Sequence, residues 1–320
     1  MPKPLPISIL AVVVASSWLE LSIVPARAQM LSSDSQTRPQ HADPGATRQP
    51  PSAEEIRARV KKLIANQHND DVAEAQYEWI ERHVDQTSGA NPRTLDDRTI
   101  RLVPNGAGAT KVVLAENGKP TDPAELRRQL QNVVQVLQMM LNPNDPRMKT
   151  ASAKYQKRMH DRAELVDSVF DAFSITWQRQ ESKGGRDCDV IQANPNPNYH
   201  PRTIFQEALT HVSANVWVDH ADDQIVHAEA RILSDISFGG GLLGKLYRGG
   251  TVAIDQAEVA PGVWLTTHEQ YDFTGRKFLF PFEQHQLIDF SQYLFVGPPK
   301  DALAMVQAEL AGTKPVSGDP

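Results

Sequence analysis

The chain has 320 residues, 40% of them hydrophobic, and a formal charge of -6 at neutral pH. That is enough apolar material for an ordinary core, and the acidic balance excludes nucleic acid as a partner, because phosphate binding draws on clustered Lys and Arg that leave a domain basic. Cys188 is the only cysteine, which excludes an internal disulfide and any multi-thiolate metal site and reads as a small buried hydrophobe.

The first 28 residues have the pattern of an export signal: Lys3 at the start, an apolar region over 7–18, and Ala26-Arg27-Ala28 as a small-x-small cleavage site. Cleavage near Ala28 predicts a periplasmic or secreted mature chain. Glu20 interrupts the apolar run, against an uncleaved anchor. Residues 29–51 hold almost no large apolar side chain and are expected to form a disordered linker. A single α+β domain is expected over 52–297, with a short helix and a disordered tail over 298–320.

Ser52 with Glu55 three residues on is a capping box, and Ile56, Val60, Leu63 and Ile64 follow as one apolar stripe at helical spacing. Arg57, Arg59, Lys61 and Lys62 are assigned to the solvated face of that helix. Tyr77 and Trp79 alternate with Glu78 and Ile80 as in a strand. Weaker strands over 99–103 and 110–115 are set off by the turn signals Ser88-Gly89, Asn105-Gly106 and Asn117-Gly118. Asp122-Pro123-Ala124-Glu125 starts a helix reaching Met140 or Leu141, with Leu126, Leu130, Val133, Val134 and Leu137 on its stripe. A second long helix ends near Phe170. Phe173, Ile175 and Trp177 then pair as a hairpin with Cys188, Val190 and Gln192 across Gly184-Gly185. Residues 194–203 are expected to loop and 204–209 to form a short helix.

The chain is organised around the stretch that follows, 211–296, which reads as an antiparallel meander. Its best segment is 225–233, where Val226, Ala228, Ala230 and Ile232 fall on one side and His227, Glu229 and Arg231 on the other. Further strands are expected over 216–219, 251–259, 264–273, 277–282 and 287–295, with turns at Asp222-Asp223, Ala260-Pro261-Gly262 and Thr274-Gly275. Residues 300–310 form a short amphipathic helix through Leu303, Val306 and Leu310.

Chemistry-bearing motifs are few. Residues 239–246 read G-G-G-L-L-G-K-L, with Leu246 standing where a P-loop needs a hydroxyl for magnesium, and the flanking strands are antiparallel, so nucleotide binding is excluded. The expected use is a hairpin tip or lip in which Phe238, Leu242 and Leu243 gate a cavity or touch a membrane. Asp219-His220-Ala221-Asp222-Asp223 fits neither an EF-hand nor a zinc spacing and is read as a solvated turn. No H-E-x-x-H and no G-x-S-x-G is present. No metal, cofactor or catalytic residue is expected.

Trp217-Val218-Asp219 before a turn and the 225–233 strand, Gly262-Val263-Trp264-Leu265, Tyr271 followed by Gly275-Arg276, and Asp289-Phe290-Ser291-Gln292-Tyr293 resemble the outer-membrane lipoprotein carrier and receptor family, LolA/LolB-like. The resemblance spans 79–296. It implies an α+β fold: a strongly curved antiparallel sheet, an unclosed barrel, with helices packed on its concave face and room for acyl chains. It further implies a non-enzymatic exported protein that holds lipid or an acylated protein segment, with possible envelope-protein partners. The expected apolar lining is Val226, Ala228, Ala230, Ile232, Val252, Ile254 and Trp264, with Phe238, Leu242 and Leu243 at the lip. The alternative is an envelope sensor or protein-interaction domain with a packed, ligand-free interior.

Overall fold

The capping box at Ser52 forms as its spacing predicts. The Ser52 hydroxyl accepts from the Glu55 N–H at 3.2 Å, and the Glu55 carboxylate accepts from the Ser52 N–H at 2.7 Å. It opens helix α1, Ala53–Glu74, of the computed structural model, which describes residues 50–312. The predicted export signal, nearly all of the linker and the tail lie outside the described residues.

Four strands follow α1: β1 (Tyr77–Gln86), β2 (Thr94–Pro104), β3 (Ala109–Glu116) and the short β4 (Lys119–Pro120). Asp122 then caps α2 (Pro123–Leu141) by accepting from the Ala124 N–H at 2.8 Å. Asp145 caps α3 (Pro146–Ala172) in the same way. Both helices have Pro in the first turn, where no N–H is needed. The rest of the chain is β5 (Phe173–Lys183), β6 (Arg186–Pro195), α4 (Ile204–Leu209), β7 (Val212–Asp219), β8 (Ile225–Ile232), β9 (Ile236–Phe238), β10 (Gly244–Leu246), β11 (Thr251–Ala260), β12 (Val263–Lys277), β13 (Phe280–Phe295) and α5 (Pro299–Leu310).

All thirteen strands join one antiparallel sheet in the order β4-β3-β2-β1-β13-β12-β11-β8-β7-β6-β5, with β9 and β10 hung on β12. The N-terminal meander is sewn to the C-terminal one through β1 and β13. The end strands β4 and β5 do not pair with each other, so the barrel is unclosed. Its inner face has a continuous core running from Trp79 and Ile100 through Phe290, Tyr271, Ile254 and Ala230 to Ala193, covered by Leu63 of α1 and Leu165 of α3.

Two helices pack on the opposite side. Register pairs Arg101 with Val112 and Leu102 with Lys111, so Val103 and Val112 point away from Trp79 and Leu102. There Leu130, Val133 and Leu137 of α2 and Ala302 and Val306 of α5 cover them. The concave placement expected of the helices therefore holds for α1 and α3, while α2 and α5 shield the reverse of β2 and β3.

The meander differs from its sequence reading in three places, one being that the separate strands expected over 277–282 and 287–295 are replaced by a single strand, β13, after a reversal at 278–279. Thr274-Gly275 is not a turn: Gly275 lies inside β12, paired with Leu246 on one side and Phe282 on the other. A Cβ there would stand 2.4 Å from the Lys245 carbonyl oxygen, so this glycine serves close strand approach, and the chain reverses at Phe278-Leu279 instead. The third difference is a bulge. Val218 pairs with Ile225 but Trp217 with His227, which leaves Val226 as the extra residue on β8 and breaks the alternation assumed for it. Asn194 and Pro195, expected in a loop, finish β6.

Candidate functional site

Between α1, α3 and strands β5 to β8 lies an apolar seam around a cavity of about 80 Å³. Val60, Leu63 and Ile64 come from α1; Leu165, Val166 and Val169 from α3; Ile175, Ile191, Ala193, Val216, Val218 and Ile225 from the sheet. Gln67 is the one polar side chain in the lining. Its position follows from periodicity: residues three and four apart on a helix share a face, and alternate residues on a strand do. Leu63, Ile64, Val169, Ile175 and Val216 are only half-buried, so the seam reaches the surface.

Charged groups clamp α1 at its first half. Arg59 is mostly buried and binds Asp189 and Asp223 as well as the Asp219 carbonyl, and Lys62 reaches Asp223 at 3.2 Å. Asn66 donates to the carbonyls of Asp222 and Asp223. Two sequence assignments are corrected here. Arg59 is no solvated face residue, and the 219–223 turn is only partly solvated: His220, Ala221 and Asp222 are exposed, but Asp223 is buried as a counter-charge of Arg59, and the buried Asp219 carboxylate accepts the N–H groups of Ala221 and Asp222.

The second half of α1 rests on carboxylates. Gln67 and Gln256 pair at 3.3 Å, and Asp70 accepts the Trp264 N–H at 3.0 Å. Burial raises the Asp70 pKa to about 6. Glu74 is buried, and burial drives its pKa well above the ordinary range, with Arg162 opposing the shift and Asp71, Glu81 and Glu269 reinforcing it. Facing it from β12, Glu269 is pushed up to about 8, chiefly by burial, although Tyr271 donates to it at 2.7 Å. One oxygen each of Asp70, Glu74 and Glu269 has no hydrogen-bond partner. Glu81 of β1 behaves differently: burial alone raises it, but bonds to His83 at 2.7 Å and from the Trp79 indole at 3.0 Å outweigh this and hold its pKa low.

The residues expected to line the cavity divide into three groups. Ala228, Ala230, Ile232, Val252, Ile254 and Phe238 are buried in the inner-face core, and none of them reaches the seam cavity. Val226 and Trp264 belong to a separate cluster with Cys188, Val190 and Trp217. Leu242 and Leu243 are exposed, and Phe238, grouped with them as a lip residue, points inward. Cys188 is buried and its thiol is pushed up to about 11, mainly by burial, as an unreactive packing residue would be. The α1 part of the seam was legible as an apolar stripe. The carboxylate floor was not, since Asp70, Glu74, Glu81 and Glu269 meet only through tertiary packing.

A larger, polar cleft of about 520 Å³ lies at the end of α3, lined in part by Glu164, Asp167, Asp171 and His200. Among the described residues no group of three or more His, Cys, Asp or Glu is arranged to hold a metal ion. No helix among them is long and apolar enough to cross a membrane.

An unclosed antiparallel sheet whose inner face lies under α1 and α3 is the architecture that the sequence resemblance implies. The fold is α+β, with an unclosed sheet. No family model and no curated protein matches the chain. Among solved structures it is similar to a DUF1329 family protein from Desulfovibrio piger, at 11% identity and a TM-score of 0.29, over 75% of this chain and 92% of that one. It is also similar to a putative outer membrane lipoprotein-sorting protein domain from Vibrio parahaemolyticus, at 10% identity and a TM-score of 0.30, over 74% and 93% of the two chains. A LolA superfamily protein from Nitrosomonas europaea matches at 10% identity and a TM-score of 0.30, over 77% and 96%.

Proposed function

We propose that this chain is an exported, non-enzymatic binding protein that shelters an apolar chain, the acyl part of a lipid or of a lipidated protein segment, in the seam beneath α1 and α3. The observation that supports this reading most is the lining itself. Twelve apolar side chains and a single glutamine surround the cavity, and five of the apolar ones stay half-exposed. A hydrocarbon chain entering the seam would gain about 0.8 kcal/mol for each CH2 buried. The seam is collapsed in this state, so occupancy requires α1 to lift from the sheet, and its carboxylate under-face weakens the adhesion that must be overcome.

The size of the cavity favours a second reading. Small-molecule sites usually enclose roughly 300–1,000 Å³, and about 80 Å³ is far less. On that reading the interior is packed, and the chain acts as an envelope protein-interaction domain.

One experiment separates the two. A fatty acid carrying an environment-sensitive fluorophore is titrated into the purified protein and into Ile64→Glu, which sets a charge at the half-exposed mouth. The binding reading expects bright emission with the natural chain and about tenfold weaker binding by the variant, from loss of a buried apolar contact and desolvation of the new charge. A probe that stays dim with both, together with no lipid in native mass spectra of protein taken from its own envelope, supports the packed interior.

A further inference from the structure

The tips of two hairpins meet at one end of the sheet. The loop 239–243 between β9 and β10 lies against the Phe278-Leu279 loop between β12 and β13: Gly244 pairs with Lys277, and the Phe278 N–H donates to the Leu243 carbonyl at 3.0 Å. Five large apolar side chains project there into solvent, with Leu242 74%, Leu243 46%, Phe278 50%, Leu279 83% and Phe280 75% exposed. Two-residue hairpin loops normally use glycine or asparagine where φ is positive, yet Phe278 holds φ at 54°. A bulky aromatic is therefore kept, with local strain, at a position where glycine would be easier.

Around the tips stand Lys245, Arg248, Arg276 and Lys277, against the carboxylates of Asp235 and Glu283. Asp235 pairs with Lys245 at 2.8 Å, and Arg276 donates to the Phe278 carbonyl at 3.0 Å. The surplus here is positive, in a chain whose formal charge is -6. The apolar groups form a protrusion, which a groove-binding partner would not seat, and the basic collar lies directly behind it. Protruding apolar side chains backed by cations match a bilayer interface, where the rings enter the acyl boundary and the cations meet anionic headgroups.

We infer that the paired hairpin tips are a membrane-docking element for an anionic phospholipid surface. The inference goes beyond the seam, and substitutions at the tips separate it from the seam reading, since neither Leu279 nor Phe280 lines the seam. Three measurements test it on the full folded chain. The protein should co-sediment with vesicles containing phosphatidylglycerol, less so in raised salt, and Leu279→Asp with Phe280→Asp should lower the bound fraction about tenfold. Because both positions are exposed, the variant should keep the natural melting temperature. An independent readout places a nitrobenzoxadiazole dye on Leu279→Cys, with Cys188 protected by burial, and its emission should rise on adding the same vesicles. No sedimentation of the natural chain, an undiminished bound fraction in the double variant, or a dye that stays dim would overturn the assignment. So would a concentration-dependent dimer dissolved by the same double substitution, which would give the patch to a second copy of this chain.

Discussion

Glu269 has the clearest consequence among single residues. Its carboxyl titrates near 8 in the folded chain, against 4.5 as its reference value. Between those values the folded state retains a proton that the unfolded state has released, so stability is full below the unfolded pKa and falls as pH rises toward the folded one. One such group contributes a slope of about 1.4 kcal/mol per pH unit. Glu74 adds to the slope, its pKa being raised by the same burial, while Arg162 opposes the shift at both residues. His227 contributes in the same direction: burial lowers its pKa, but bonds to Asp255 and Glu229 outweigh that and raise it overall. Urea unfolding at pH 5.5 and 7.5 should therefore show the natural chain weaker at the higher pH. Glu269→Gln should flatten the dependence by about 1.4 kcal/mol per unit without abolishing it. An identical pH dependence in the two proteins would mean that this carboxyl is not held protonated.

At the scale of elements, α5 is fastened by one buried cation. The Arg101 guanidinium bonds Glu78 of β1 at 2.8 Å and Glu309 of α5 at 2.8 Å, with all three side chains almost fully enclosed. Arg101→Ala should cost about 3–5 kcal/mol, since two carboxylates are left unpaired, whereas replacing all three charges with apolar side chains should recover most of it. Denaturant midpoints of the single and triple variants check both halves of that statement. Gly275→Ala should also destabilise, by about 1–3 kcal/mol as in overpacked sites, because its new methyl would meet the Lys245 carbonyl oxygen, held by strand pairing, and the Phe282 ring. These two residues mark the limit of what the sequence discloses. Caps at Ser52 and Asp122, the stripe of α2 and the strand alternation of β8 are local signals, and each produced its element. Gly275 carries the same letter whether it turns a chain or admits a neighbouring strand, and only the pairing of β10 with β12 distinguishes the two uses. Val226 was lost to its expected face by one bulge, and a bulge leaves no mark in a run of alternating residues. Arg101 lay in a strand recognised as weak, with partners more than 20 and 200 residues distant.

Taken as a whole, the molecule is a sheet with two free edges and an inner wall closed by helices of unequal adhesion. Its strands are cross-tied from β4 to β5 by backbone hydrogen bonds, so the sheet opens only with global unfolding. Helix α1 is held differently. Its first half is clamped by Arg59, and its second half lays Asp70 and Glu74 over Glu269, leaving one oxygen of each without a hydrogen-bond partner. An element with buried, incompletely satisfied polar groups has a low local opening free energy. Hydrogen exchange should accordingly find the amides of 67–74 exchanging ahead of those in β12 and β13, at rates insensitive to denaturant. The pair Glu74→Gln with Glu269→Gln removes the buried charge that ionisation of Glu269 brings above pH 8, so at that pH it should slow exchange in α1 while leaving β12 unchanged. It should also reduce uptake of the fatty-acid probe if lifting α1 admits the ligand. Exchange of α1 in step with β12 would show the cover and the sheet to be one cooperative unit, and the seam would then have no door.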